Sequence, residues 1–583
     1  MVKTLGKYIV GFRRDSILTP ICMIVEVICE MIMPLLMASI IDEGVQAGNL
    51  GHIYKVGVLM VICAIIGLVG GLIGARLAAR ASAGFARNLR RGMFENIQTF
   101  SFANIDKFSS AGLVTRMTTD VTSIQQSYQM LLRMCMRAPA TLIIALVMAF
   151  SINKKITSIY MVAVVFLAVC VSFLIRAAMK YFRELFRMYD GLNASVQENV
   201  TGIRVVKAFV REDYEIDKFA KANKKVYDIC VKAESIVVIN MPLMMTTVYT
   251  CILLISWFGA HMIINNELTT GELMSLLTYC MSILMSLMMV SMIFVMMSMS
   301  IAAMERIAEV LTEEATIKNP ENPVMEVANG DIEFKDVYFR YNMTSKEPVL
   351  TDIDLKINSG EVIGIIGGTG SAKTSLVNLI SRLYDVTGGE VLVGGRNVKE
   401  YDLESLRNEV SVVLQKNVLF SGTIIDNLRW GNADATIEEC KEACRIACAD
   451  EFIERFEDGY ETKIEQGGTN VSGGQKQRLC IARALLKKPK VLILDDSTSA
   501  VDTATDAKIR EGLKSAIPET TKIIIAQRIS SVQHADRIIV MDNGRINGIG
   551  THEELINNNE IYREVYESQT TGNGDFDENG GAN

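Results

Sequence analysis

Four stretches of the chain contain no Asp, Glu, Lys or Arg: residues 56–75, 156–175, 235–264 and 273–304. Each can cross a bilayer, because about 20 residues at 1.5 Å rise span a hydrocarbon core of roughly 30 Å. Two weaker runs complete the set: 17–40, interrupted by Glu26 and Glu30, and 129–152, which begins among Arg133 and Arg137. Six spans are predicted. Residues 76–137 and 176–232 are rich in Arg and Lys, whereas 41–52 and 265–272 contain neither. The positive-inside rule therefore puts both termini on the cytoplasmic side of the plasma (inner) membrane, with Lys154 and Lys155 as the exception. The basic segments lack Gly/Pro clusters and should continue the spans as helices. Within them GLVTRMTTDV (112–121) and VTGIRVVKAFVRE (200–212) each set a Gly beside a short amphipathic segment. That pattern suits a helix end offered to another domain, and equally an ordinary turn.

Composition agrees with a membrane protein: half of the residues are apolar, 21% are charged and the mean hydropathy is +0.26. The net charge of −7 argues against a nucleic-acid partner. Residues 1–311 form the expected six-span α-helical transmembrane domain, and 312–330, polar with Pro320 and Pro323, the linker. A soluble domain is expected over 331–568, and 569–583, low in apolar residues, should be a disordered acidic tail. The first apolar run begins so close to Met1 that a peptidase domain preceding it is not expected. Cys440, Cys444 and Cys448 share a helix face without a nearby His, the pattern of a packed core.

The soluble part carries nucleotide chemistry. The strand-like EVIGIIG runs into GGTGSAKT at 367–374 and then a helical segment, the order of a phosphate-binding loop. Gly367, Gly368 and Gly370 allow backbone N–H groups around Thr369 and Ser371 to face phosphate oxygens at the helix start near Ser375. Lys373 supplies a point charge and Thr374 a hydroxyl for Mg²⁺. Ala372 stands where the pattern has Gly. The apolar run KVLILDD ends in Asp495 and Asp496, and Asp495 is placed to hold Mg²⁺. Ser472, Gly473, Gly474 and Gln475 open another helix, a second anion site in the same domain.

These motifs together resemble an ABC transporter half of the exporter type, a six-span domain followed by an α/β P-loop ATP-binding cassette. The resemblance implies that Tyr341 stacks on adenine, that Gln415 reaches Mg²⁺, that Ser472 to Gln475 are the signature facing a partner's ATP, and that Asp502 belongs to the D-loop. It also makes 112–121 and 200–212 the coupling helices. The departures are specific: Asp496 replaces the general-base Glu, Gln527 the switch His, and Ala372 a Gly. Together they resemble the degenerate subunit of heterodimeric bacterial multidrug exporters. Such a chain would hydrolyse MgATP weakly at its own site, pair with a second half-transporter carrying the competent Glu and His, and export amphipathic small molecules. A lipid or peptide exporter and an ATP-gated regulatory protein are the alternatives. Glu26 and Glu30, one helical turn apart, are expected to turn from lipid, either onto the substrate path or into hydrogen bonds with neighbouring spans.

Overall fold

The computed structural model describes residues 1–342 and 347–571. They form two compact units: Met1–Gln98 with Ser110–Glu313, and Thr99–Ser109 with the chain from Glu314 onward.

The first unit is all helix. Its long elements are α1 Arg13–Ser39, α2 Leu50–Gln98, α4 Val121–Ile152, α5 Lys154–Thr201, the pair α7 Glu212–Val238 and α8 Asn240–Ile264, and α9 Thr270–Thr312. Among the described residues, six helices are long and apolar enough to cross a membrane. The basic segments continue the spans: α2 alone has 49 residues and α5 has 48. Helix starts follow local chemistry. Asn153 accepts from the N–H groups of Lys155 and Ile156, and Thr269 forms a capping box with Glu272. Buried tyrosines join the spans, since a hydroxyl inside an apolar bundle must find an acceptor. Tyr160 donates to the Leu276 carbonyl at 2.7 Å, and Tyr279 to the Met31 carbonyl at 2.6 Å.

Two short helices interrupt this pattern, α3 Phe102–Phe108 and α6 Ile203–Ala208. The sequence placed the first coupling segment at 112–121, but that stretch lies inside a continuous helix, Ser110–Ile152. The separate element is α3, because Ser101 caps it in a reciprocal box with Asn104. It belongs to the second unit, where the Tyr384 hydroxyl donates to Asp106 Oδ2 at 2.6 Å and the Phe102 and Tyr384 rings meet edge on. Burial and the Asp106 carboxylate push the Tyr384 phenol above its ordinary range.

Among its described residues the second unit packs helices against two large sheets, beside a two-stranded ribbon of Gly422–Thr423 and Lys463–Ile464. The antiparallel one has the order β2-β1-β4-β5, from β1 Ile332–Phe339, β2 Leu350–Ile357, β4 Gly388–Val393 and β5 Arg396–Asn397. The other contains β3 Val362–Gly367, β6 Val410–Val413, β7 Val491–Asp495, β8 Thr521–Ile525, β9 Arg537–Asp542 and β10 Arg545–Gly550. Its order is β10-β9-β3-β8-β7-β6, parallel except for β10. Strands buried on both faces are continuous apolar runs, and every residue of β7 and β8 is buried. Cys440, Cys444 and Cys448 lie in the core between helices. At the N-terminal end of the sheet Glu361 pairs with Arg537, whose Nη2 lies 2.7 Å from Oε2, and accepts from the Asn358 N–H at 2.9 Å. These bonds hold its carboxyl below the usual range. A helix Glu560–Thr571 runs past residue 568, so the disordered tail predicted from 569 does not begin there; residues 572–583 lie outside the described residues.

Candidate nucleotide site

Strands β3, β8 and β7 are neighbours, and Ile525 is in register with both Ile365 and Asp495. Their carboxyl ends therefore bring together the loop after β3, Gln527 after β8 and the Asp pair after β7. Ligands of open parallel sheets bind beyond these ends. A cavity of about 330 Å³ lies there, lined by Gly367, Thr369 to Ser375, Gln415, Asp495, Asp496 and Gln527. Val349 and Ile525 complete its wall; both look like ordinary strand residues in the sequence.

The loop's backbone explains its residue types. Gly370 has φ +87°, and a Cβ on Gly367 would lie 2.2 Å from the Met541 carbonyl oxygen. Ala372 also sits in the left-handed region, at φ +70°, as the last residue before the helix Lys373–Ile380. The Gly preference there is thus conformational, and Ala meets it at a cost of roughly 1–2 kcal/mol. Lys373 Nζ donates to the carbonyls of Gly367 and Gly368 at 2.7 and 2.8 Å. Burial holds its pKa down, against the opposing pull of Asp495 and Asp496.

Thr374 Oγ1 donates to Asp495 Oδ1 at 3.1 Å, and Asp495 is 2% exposed. Burial raises the carboxyl of Asp495, and Thr374 and Lys373 draw it back. Two oxygens side by side suit a hard cation that completes its shell with waters and phosphate oxygens, so Thr374 and Asp495 fit Mg²⁺. Bound there, Mg²⁺ would neutralise phosphate charge. Asp496 is raised by burial and lowered by hydrogen bonds from Gln415 and Gln527. Gln527 Nε2 donates to Asp496 Oδ2 at 3.0 Å, so the two substituted positions touch. The backbone around Gln527 is held from the chain's end, where Gln569 donates to its carbonyl and accepts from the Ile529 N–H, both at 2.8 Å.

Tyr341 lies on the rim, its hydroxyl 2.8 Å from Ser375 Oγ and its ring half exposed. Ser472 to Gln475 do not line this cavity. Ser472 caps the helix Gly473–Leu485 and exchanges bonds with Gln475, whose N–H and Oε1 lie 3.3 and 2.9 Å from its oxygen and nitrogen. A Cβ on Gly474 would lie 2.7 Å from the Ala500 carbonyl oxygen, so the loop holding Ala500 packs directly on the Ser472–Gln475 turn. Gln477, which no sequence pattern marks, is buried and joins the two by accepting from the Ala500 N–H at 3.0 Å and donating to Ser499 Oγ at 3.2 Å. Asp502 caps Thr503–Ala516 through the Thr505 N–H, which keeps its carboxyl acidic.

Glu26 and Glu30 lie in the other unit and share Arg137, which donates Nη1 to Glu26 Oε1 and Nη2 to Glu30 Oε2, the latter at 2.8 Å.

Comparison with known proteins matches residues 16–310 to the ABC transporter transmembrane region and 350–499 to the ABC transporter family. The uncharacterised ABC transporter ATP-binding protein YfiB of Bacillus subtilis is 35% identical over 94% of this chain and 95% of its own length. The putative multidrug export ATP-binding/permease protein YgaD of the same organism is 29% identical, over 98% and 99%. In fold, the chain is similar to a bacterial Atm1-family ABC exporter solved with ATP bound, with a TM-score of 0.82, 23% identity and coverage of 96% and 99%.

Proposed function

Because the chain belongs to the ABC transporter family, as a multi-pass half-transporter joining one transmembrane region to one ATP-binding domain, we propose that it is the degenerate half of a heterodimeric exporter. It moves amphipathic small molecules out across the bacterial plasma membrane, with both termini and the ATP-binding domain cytoplasmic. ABC exporter activity and the ATPase that drives it come with the family; the asymmetry rests on the contact of Gln527 with Asp496.

Hydrolysis needs a carboxylate that orients the attacking water and a group near the outer phosphate that can carry charge. Aspartate withdraws the carboxylate by one methylene, and a misplacement of about 1 Å can cost ~10²-fold in rate. Gln527 then occupies one Asp496 oxygen with an amide that cannot exchange a proton. ATP binding is better preserved, through Lys373, the loop amides, Tyr341 and a Mg²⁺ site at Thr374 and Asp495. The signature stands outside this chain's own cavity, which suits head-to-tail pairing with a second half-transporter. The segment after α6 supports such pairing too: Phe209 and Val210 are 73% and 81% exposed.

The test is Asp496→Asn in the assembled pair. ATPase should stay above about half of the wild-type rate, because the competent base lies on the other polypeptide; a fall to background would assign the main turnover to this site and end the asymmetric reading.

A further inference from the structure

The membrane unit holds a larger cavity, about 480 Å³, bounded by α1, α2 and α4. Small residues of α2 make the room. Ala64, Gly67, Gly71 and Ala75 recur along one face, and a Cβ on Gly71 would lie 3.1 Å from the Glu26 carboxylate. The volume lies within the usual range of small-molecule sites, roughly 300–1,000 Å³. Its walls carry Leu68, Leu72 and Met33, so the space is apolar except where four charges enter it.

Those charges are not simply paired off. Arg137 is shared between Glu26 and Glu30, which leaves this group of three with one negative charge in excess. Glu30 keeps the more accessible carboxylate of the two. Arg133, one turn earlier on α4, lines the same cavity, and its Nε is buried without a hydrogen-bond partner among the described residues. The cavity is neutral as a whole but holds Arg133, which has no ion pair among the described residues, and Glu30, which shares its one cation with Glu26. Ionised side chains in a membrane span are costly and mark functional positions, so a cation without a partner beside a carboxylate that only shares one asks for an occupant. A lone anion or a lone cation would leave the site charged. A molecule bearing both, beside an apolar body, satisfies each end and leaves neutrality intact.

We propose that this cavity binds the head of a zwitterionic amphiphile, its anionic group on Arg133 and its cationic group on the Glu30 side. The inference rests on the exporter reading for its place in transport, and it narrows that reading's substrate class. Occupancy can be followed without transport, because Cys29 and Cys63 line the cavity. The full-length chain in phosphatidylglycerol nanodiscs, which bring no zwitterion, is treated with N-ethylmaleimide, and labelling at the two thiols is read by peptide mass. Lauroyl-lysophosphatidylcholine below its micellar concentration should slow both at least fivefold. Lauroyl-lysophosphatidic acid, dodecyltrimethylammonium and dodecyl maltoside should slow them less than twofold. Arg133→Gln should raise the half-protecting concentration at least tenfold, and Arg133→Lys, which keeps the cation, should raise it less. Protection by free phosphocholine as well would assign a water-soluble zwitterion, and protection by the lysolipid alone a membrane-borne one. Equal protection by all four amphiphiles, no protection, thiols that never label, or an unchanged Arg133→Gln that elutes as folded protein would each overturn the proposal. Failure of the exporter reading shows separately, as no ATP-dependent dye accumulation in inverted vesicles while thiol protection persists.

Discussion

At the scale of single residues, the phosphate loop separates two reasons for a motif position. Gly370 and Ala372 both adopt left-handed backbone, but only the first is a glycine. Ala372→Gly should relieve about 1 kcal/mol of strain. Scanning calorimetry of the full chain should then show the transition of the ATP-binding domain rising by roughly 2–4 °C, the shift expected for a domain of this size. Glu361 gives the opposite case of a side chain whose contribution depends on charge. Its folded carboxyl lies below the ordinary 4.5, so its bonds to Arg537 and Asn358 stabilise the domain at neutral pH. They are lost as the pH falls through the lowered folded value. Glu361→Gln should cost about 1–2 kcal/mol at pH 7, and the gap between variant and wild type, followed by thermal melts, should close as the pH drops below 4.5.

At the scale of elements, α3 is the informative piece. Its sequence lies between two spans, yet it packs with the ATP-binding domain, tied by Asp106 and Tyr384. Asp106→Ala should leave at least half of the ATPase activity while dye export falls several-fold; equal loss of both would make the contact purely structural. Apolar periodicity showed the spans and their helical extensions, because a helix buried in lipid declares itself over 20 residues. The phosphate loop and the Asp pair were legible because their chemistry is local. The α3 boundary was not, since a Gly beside an amphipathic run outweighed the Ser101 and Asn104 pair that caps the real helix. Arg137 between Glu26 and Glu30, Gln477 under the D-loop and Gln569 on the switch loop were hidden for another reason. Each is a contact between residues distant in sequence, which no periodicity encodes.

At the scale of the whole molecule, the proposed head-to-tail pairing would have the chain supply half of each of two reaction sites. Gly474→Asp or Ser472→Ala should reduce ATPase of the assembled pair at least tenfold, although neither residue lines this chain's own cavity; retained activity would mean that the signature serves no hydrolysing site. The length of α2 has a mechanical corollary. The helix continues without a break from its apolar run through Arg76 to Gln98, a projection of roughly 34 Å beyond that run at 1.5 Å per residue. A rod of that reach is a lever. A tilt of about 10° within the membrane carries its far end by about 6 Å, close to the 5.4 Å pitch of one helical turn. A slight rotation among the spans would thus move the other end by about one full step of side-chain register.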